Sequence, residues 1–118
     1  REAKGHLLDI LRADGMELEA IRCGGADPGT QAREQWSDGA NAFALAPQKI
    51  LLYARNEHTL QTLNAKGFEV LTPDEFCRNS ALYLADPNRK VVVALEGPEL
   101  SRGRGGPRCL TLPLLRAT

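Results

Sequence analysis

The sequence predicts an α/β fold, because segments with strand and helix character alternate along the chain. Residues 42–46 and 49–54 are two apolar runs that flank the Pro47-Gln48 turn. Residues 57–66 carry helix signals, and residues 68–71 are predicted to form a further strand. The predicted order in this part of the chain is therefore strand, strand, helix, strand.

The amino-terminal part is predicted to contain a helix, a strand and a long loop. Apolar residues recur at helical spacing before Asp14-Gly15 ends the segment: Ala3, Leu7, Ile10 and Leu11. Residues 16–20 alternate apolar and acidic side chains, which predicts a strand with one buried face. Residues 23–41 are polar, lack a sustained apolar period and contain Trp36, so they are predicted to form a functional loop.

The carboxy-terminal half carries clear start and stop signals. Asn56 is placed to cap the helix at 57–66, and Thr72-Pro73-Asp74-Glu75 is a capping box that predicts a second helix, ending before Asp86-Pro87. Residues 90–95 form a strong strand pattern. A Gly/Arg loop at 101–107 follows, and residues 109–112 return to an extended apolar pattern.

Size and composition exclude several classes of protein. A chain of 118 residues can form one domain, and 15 basic residues balance 15 acidic ones, which gives no electrostatic case for nucleic acid or an anionic membrane as partner. The apolar runs are too short to span a bilayer. The spacing of the three cysteines does not match a zinc site, and their odd number argues against a disulfide framework, which favours the reducing cytoplasm. Because the chain lacks an initiating Met, we expect it to begin inside a longer gene product.

Cys109 is the strongest candidate for chemistry. It follows a Gly/Arg loop that ends in Gly106-Pro107-Arg108, and cationic neighbours favour the thiolate, the nucleophilic form of cysteine. The alternatives are a buried structural cysteine, an RNA-binding Arg-Gly segment and a phosphate-binding loop. The neutral charge disfavours the second, and the missing Lys-Ser/Thr ending disfavours the third.

The other thiols and the imidazoles have structural interpretations. Cys77 is predicted to lie in the core on a helix, and Cys23 to be structural at a strand end. His6 and His58 are predicted to be surface or capping residues rather than catalytic bases.

Two blocks of sequence resemble the arginine deiminases. Residues 33–41, Arg-Glu-Gln-Trp-Ser-Asp-Gly-Ala-Asn, resemble that family's Arg-Glu-Gln-Trp-x-Asp-Gly-x-Asn block, and Gly24-Gly25-Ala26-Asp27 resembles the Gly-Gly-Asp segment before it. Residues 102–113 resemble the terminal motif that carries the family's nucleophilic cysteine. Tyr53-Ala54-Arg55-Asn56 and residues 66–70 add to the match, in the family's order.

The resemblance implies a fold and a reaction. The fold would be a partial pentein-type α/β propeller, with about two strand-strand-helix-strand modules of a pseudo-fivefold barrel. By resemblance, Cys109 attacks the guanidinium carbon of L-arginine, ammonia leaves, and water hydrolyses a covalent S-alkylthiouronium to citrulline. Arg104 matches the arginine that governs substrate access and binding, and Gly106 and Arg108 are expected to shape the wall beside the thiol. The resemblance requires no metal or organic cofactor.

The resemblance also predicts an incomplete enzyme. The single unit at 1–118 would be a carboxy-terminal fragment, with an insertion at about 74–95, that needs the remainder of the same polypeptide for two carboxylates and a His-x-Asp pair. Alone, it would be inactive, and open sheet edges would favour a homo-oligomer. Alternatives are a non-enzymatic binding or assembly module derived from this fold and another guanidino-modifying enzyme, such as an amidinotransferase.

Overall fold

A computed structural model describes residues 6–97 and 99–115, and a four-stranded mixed sheet lies at its centre. The strands are β1 (Phe43–Ala46), β2 (Lys49–Tyr53), β3 (Glu69–Leu71) and β4 (Val91–Leu95). Their order across the sheet is β1-β2-β4-β3. β1 pairs with β2 antiparallel, whereas β4 lies parallel to both β2 and β3.

The described residues also form five short α-helices and a 3₁₀ turn. The helices are α1 (Leu7–Ala13), α2 (Pro28–Trp36), α3 (Glu57–Ala65), α4 (Pro73–Arg78) and α5 (Ser80–Ala85), and the 3₁₀ turn spans Leu100–Gly103. Within residues 6–97 and 99–115, no helix has the length and apolar character that crossing a membrane requires.

Both faces of β4 are covered, which makes it the centre of the core. Val92 packs in one apolar cluster with Leu60 and Leu63 of α3. Val91 and Val93 point to the opposite face, where they pack with Tyr83 of α5. The result is a sheet between two helical layers, which is the arrangement that a continuous apolar run such as residues 91–95 favours.

The parallel pairing of β2 and β4 positions the carboxy-terminal loop. The two strands end at the same edge of the sheet, where Tyr53 pairs in register with Leu95. The backbone N–H of Ala54 extends the pairing by donating to the carbonyl of Leu95. The chain leaving β4 therefore enters the Gly/Arg loop beside the end of β2.

Most predicted elements of the central region are confirmed. The two strands around Pro47-Gln48, the helix at 57–65, the strand at 69–71 and the strand at 91–95 all form within one residue of their predicted limits. The capping box is also present, since Thr72 accepts from the Glu75 N–H and the Glu75 carboxylate accepts from the Thr72 N–H.

Two predictions for the amino-terminal region are wrong. Residues 16–20 form no strand, and Met16 and Leu18 are about half exposed, because no neighbouring strand pairs with this segment. The predicted loop at 23–41 contains α2, which begins where the Asp27 carboxylate accepts from the Thr30 N–H. The helix is mostly polar, so it lacks the apolar period used to predict helices.

Three further predictions need correction. The helix after the capping box is divided at Asn79 into α4 and α5. Asn56 precedes α3, but its side chain does not cap the helix and instead donates to the carbonyl of Ser37. Residues 109–112 do not form a strand, because residues 107–110 form a turn, and Leu110 and Leu112 are largely exposed.

The observed sheet bears on two expectations that remain predictions. Residues 74–95, the predicted insertion, include β4, an inner strand of the sheet that carries part of the core. The insertion stays a prediction. One sheet cannot reveal a fivefold arrangement, and the propeller stays a prediction. β1 and β3 are the sheet edges, where pairing between copies would occur if the predicted oligomer forms.

Candidate functional site

Cys109 lies on an exposed turn at the end of the Gly/Arg loop. Its backbone N–H donates to the carbonyl of Gly106, at 3.0 Å, which closes the turn. Its sulfur accepts a hydrogen bond from Asn41, with Nδ2 2.9 Å from Sγ. The thiol is therefore accessible and directed, in contrast to a cysteine sealed in the core.

Two of the quoted blocks of sequence, residues 33–41 and 102–113, meet at this site, although the hydrogen-bonded residues are 67 and 68 positions apart. The Arg104 guanidinium stacks over the Trp36 ring, the Gly105 N–H donates to the Asp38 carboxylate at 3.1 Å, and Asn41 reaches the sulfur of Cys109. The segment after α2 and the Gly/Arg loop thus form one surface.

Tyr53 anchors the loop from beneath. It is 1% exposed at the end of β2, and its hydroxyl donates to the carbonyl of Gly105 at 2.9 Å. Burial raises the pKa of the Tyr53 hydroxyl, and the nearby Asp38 and Cys109 raise it further. The hydroxyl is consequently held in its protonated form, which can donate to the loop.

Close backbone approach explains one glycine of the loop. A Cβ on Gly106 would lie 2.4 Å from Cβ of Asn41 and 2.5 Å from its Cγ, so a larger residue would displace the amide. Gly106 and Pro107 are both buried, which holds the turn before the thiol against the rest of the molecule. Arg104 has a φ of 60°, a left-handed conformation that helps turn the loop.

An open cavity of about 330 Å³ lies next to Asn41, which contacts the Cys109 sulfur, and Arg108. Six residues line it: Gln35, Asp38, Ala40, Asn41, Ala42 and Arg108. The lining thus includes one acidic residue, Asp38, and one basic residue, Arg108. Among the described parts of the chain, no group of three or more His, Cys, Asp and Glu residues could hold a metal ion.

A buried carboxylate holds α2 in place. Glu34, 1% exposed, accepts from the backbone N–H groups of His58 and Thr59 and from the Thr59 hydroxyl, at 2.6–2.9 Å. These donors belong to the first turn of α3, where a carboxylate satisfies helix N–H groups that lack partners. Glu34 therefore fixes the position from which Trp36 and Asp38 reach the Gly/Arg loop.

The remaining cysteines and histidines lie away from this surface or have structural contacts. Cys77 is exposed on α4, so its predicted core position is wrong. Short α4 presents it to solvent, and no residue of α4 is buried. Cys23 is half-buried, and its sulfur lies 3.5 Å from the Thr59 hydroxyl oxygen, consistent with a structural role. His6 and His58 are both exposed, as predicted for surface residues.

The structure brings the four predicted site residues into one loop and adds three that the site prediction did not include. Arg104, Gly106, Arg108 and Cys109 all lie on the Gly/Arg loop and its turn. The additional residues are Asp38, Asn41 and Tyr53, which contact that loop. All three belong to the quoted blocks of sequence, which was the available signal, but their spacing along the chain does not reveal the contacts.

Comparison with known proteins identifies similar sequences. A family model described as arginine deiminase matches residues 2–116. A protein named arginine deiminase from Mycoplasma capricolum subsp. capricolum is 42% identical over 117 residues, which cover 98% of this chain and 24% of that relative. Those from Streptococcus uberis and Clostridium perfringens are each 38% identical, over 98% and 85% of this chain and 23% and 19% of the relatives. The chain thus spans at most 24% of these three curated relatives.

Proposed function

Because the chain belongs to the arginine deiminase family, we propose that it supplies the nucleophilic part of a hydrolase that converts L-arginine to L-citrulline and ammonia. The similar proteins carry the name of that activity. The chain corresponds to a minor part of their length, so the complete site would also draw on the remainder of the polypeptide.

The observation that carries the proposal is the environment of the Cys109 sulfur. It is exposed, it accepts a hydrogen bond from Asn41, and it lies on a turn fixed by the buried Gly106 and Pro107. A guanidinium carbon is a poor electrophile, and a soft, strongly nucleophilic sulfur at an accessible and fixed position suits the reaction.

The proposed reaction has two steps. The Cys109 thiolate bonds to the guanidinium carbon, and one C–N bond breaks as a proton is delivered to the departing nitrogen, which leaves as ammonia. Water then adds to the S-alkylthiouronium carbon and loses a proton, and the C–S bond breaks. The products are citrulline and the regenerated thiolate, so arginine and one water give citrulline and ammonia without a change of oxidation state.

The loop would also contact the substrate. Arg104 would govern access from its position over Trp36, and Gly106 and Arg108 would form the wall beside the thiol. Arg108 lines the open cavity next to Asn41, where its positive charge could meet the carboxylate of a substrate amino acid.

By resemblance, a His-x-Asp pair transfers protons and two carboxylates bind the guanidinium, and neither set matches a position in this chain. Neither His6 nor His58 has an Asp two residues later, and the two carboxylates that the family resemblance implies have no counterpart here. We therefore expect the isolated 118-residue chain not to convert arginine.

Citrulline formation from L-arginine tests the proposal, measured for the isolated chain and for the full gene product. We expect the full product to form citrulline and the isolated chain not to. In the full product, Cys109→Ser should lower the rate at least about a thousandfold. Cys77→Ser is the matched control, because Cys77 is also exposed but lies on α4. Acid quenching during turnover should leave the Cys109 peptide heavier by the mass of arginine less ammonia.

Two results would contradict the proposal. Full activity in Cys109→Ser would exclude Cys109 as the nucleophile. Citrulline formation by the isolated chain would show that the reaction needs no groups from outside it. Agmatine and methylated arginines, tested in parallel, would reveal a different guanidino substrate if one of them reacted faster than L-arginine.

A further inference from the structure

We propose that Asn41 is a positioning residue for Cys109, whose side-chain N–H holds the sulfur and favours its negatively charged form. The proposal deepens the proposed function, on which it rests, by naming the group that prepares the nucleophile. Its basis is the 2.9 Å contact between Nδ2 of Asn41 and Sγ of Cys109, two residues 68 positions apart.

The backbone of Asn41 is fixed by its own segment. Its N–H donates to the carbonyl of Asp38 at 3.0 Å, which closes a turn directly after α2. Asp38 itself has a φ of 61° and accepts from Gly105. The turn that presents the amide and the loop that presents the sulfur are thus linked by a second hydrogen bond.

The side chain of Asn41 is fixed by close packing against Gly106. A Cβ at position 106 would come within about 2.5 Å of Cβ and Cγ of Asn41, so the glycine leaves the space that this side chain occupies. This packing holds the amide with its Nδ2 atom directed at the sulfur of Cys109.

The oxygen of the same amide indicates that the contact is more than structural. In the described part of the chain, Oδ1 of Asn41 is buried and has no hydrogen-bond partner. Burying an acceptor without a donor is unfavourable, and a residue kept only for stability would be better replaced by an apolar one. The N–H directed at Cys109 is the interaction that accounts for an amide at this position.

The chemistry of the contact depends on the charge of the sulfur. An N–H dipole attracts a thiolate more strongly than a neutral thiol, whereas a carboxylate at the same place would repel it. The other charged or titratable residues of the loop and of the segments that contact it are Tyr53, Asp38, Arg104 and Arg108. In the described part of the chain, Asn41 donates the hydrogen bond that the Cys109 sulfur accepts.

Alkylation of the thiol by iodoacetamide tests the proposal without requiring arginine turnover. The full gene product is treated across a range of pH, and the rate at Cys109 is measured by peptide mass spectrometry with Cys23 and Cys77 as internal references. Asn41→Asp keeps the shape of the side chain and places a carboxylate against the sulfur. Asn88→Asp makes the same change on an exposed turn before β4 and is the matched control.

We expect Asn41→Asp to slow alkylation of Cys109 by about tenfold at neutral pH and to move its pH profile upward. Asn41→Ser, whose hydroxyl is too short to reach the sulfur, should slow it severalfold and serves if the aspartate variant does not fold. Asn88→Asp should react like the parent, as should Cys77 in every variant.

An unchanged Cys109 profile in an Asn41 variant that keeps the parent's circular dichroism spectrum would overturn the proposal. So would an equal change at Cys23 and Cys77, because a general loss of structure would explain it. If the profile shifts as expected but the full product makes no citrulline, the positioning role holds and the proposed function fails.

Discussion

The guanidinium of Arg104 lies over the indole ring of Trp36, with its Cζ atom 4.2 Å from the ring centroid. This contact joins the end of α2 to the Gly/Arg loop, and it is open to solvent because Trp36 remains 67% exposed. A cation over an indole face is attracted to the ring's electron density but is easily released when both groups are hydrated. The pair therefore holds Arg104 at the rim of the site without locking it there.

Trp36 is the only tryptophan of the 118-residue chain, so its fluorescence reports on this contact directly. We expect Arg104→Gln to make Trp36 more accessible to acrylamide quenching and to lower the free energy of unfolding by about 0.5–1 kcal/mol. Arg102→Gln is the control, since Arg102 pairs with Glu99 at 2.9 Å instead. Equal quenching in the parent and the Arg104 variant would mean that the stacked arrangement is not populated in solution.

Two glycines of the loop, Gly106 and Gly103, differ in how closely other atoms approach them. A Cβ on Gly106 would meet Asn41 at 2.4 Å, whereas a Cβ on Gly103 meets no atom within 4 Å. Gly106→Ala should therefore lower the free energy of unfolding by about 1–3 kcal/mol, and Gly103→Ala should change it by about 1 kcal/mol or less. Urea unfolding followed by circular dichroism provides the comparison, and similar values for the two variants would refute the close packing at Gly106.

The predictable part of the fold is the part with strong local signals. β4 is an unbroken apolar run, and the helix that begins at Pro73 has a complete capping box, so each is evident from a short window of sequence. α2 was missed because its residues are mostly solvated and its start depends on one carboxylate, that of Asp27. Residues 16–20 alternate apolar and acidic side chains but form no strand, because no neighbouring strand pairs with them.

The candidate site was predictable only from one side. The thiol and its loop are contiguous in sequence, so Cys109 and Arg104 could be named together. Asn41 and Tyr53 reach the loop through tertiary contacts across 68 and 52 residues, and no local pattern encodes such distances. The burial of Glu34 is a similar case, because its partners are donors at the start of another helix.

Residues 74–95 divide into a core strand and a peripheral helical part, which a pair of substitutions distinguishes. Val92 of β4 is 0% exposed between the two helical layers, whereas Leu82 of α5 is 60% exposed. We expect Val92→Ala to lower the free energy of unfolding by about 2 kcal/mol and Leu82→Ala to change it by about 0.5 kcal/mol or less. Urea midpoints measure both, and a tolerant Val92 would contradict the central position of β4.

The buried hydroxyl of Tyr53 makes the stability of the loop sensitive to alkaline pH. The pKa of Tyr53 is raised above the ordinary value of 10.0 by burial and by the nearby Asp38 and Cys109. The folded state thus binds this proton more tightly than the unfolded chain does. The resulting stability is fully present below about pH 10 and is lost as pH rises through the raised pKa. A phenolate also cannot donate to the carbonyl of Gly105.

Tyr53→Phe removes both the hydrogen bond and the titrating group. At neutral pH we expect it to lower the free energy of unfolding by about 1 kcal/mol, and above about pH 10 its stability should fall less steeply than the parent's. Tyr83→Phe is the control, because it leaves the Tyr53 hydroxyl in place and should keep the steeper fall. Urea unfolding at a series of alkaline pH values gives the slopes, and parallel curves for the parent and Tyr53→Phe would show that the hydroxyl does not link the loop to pH.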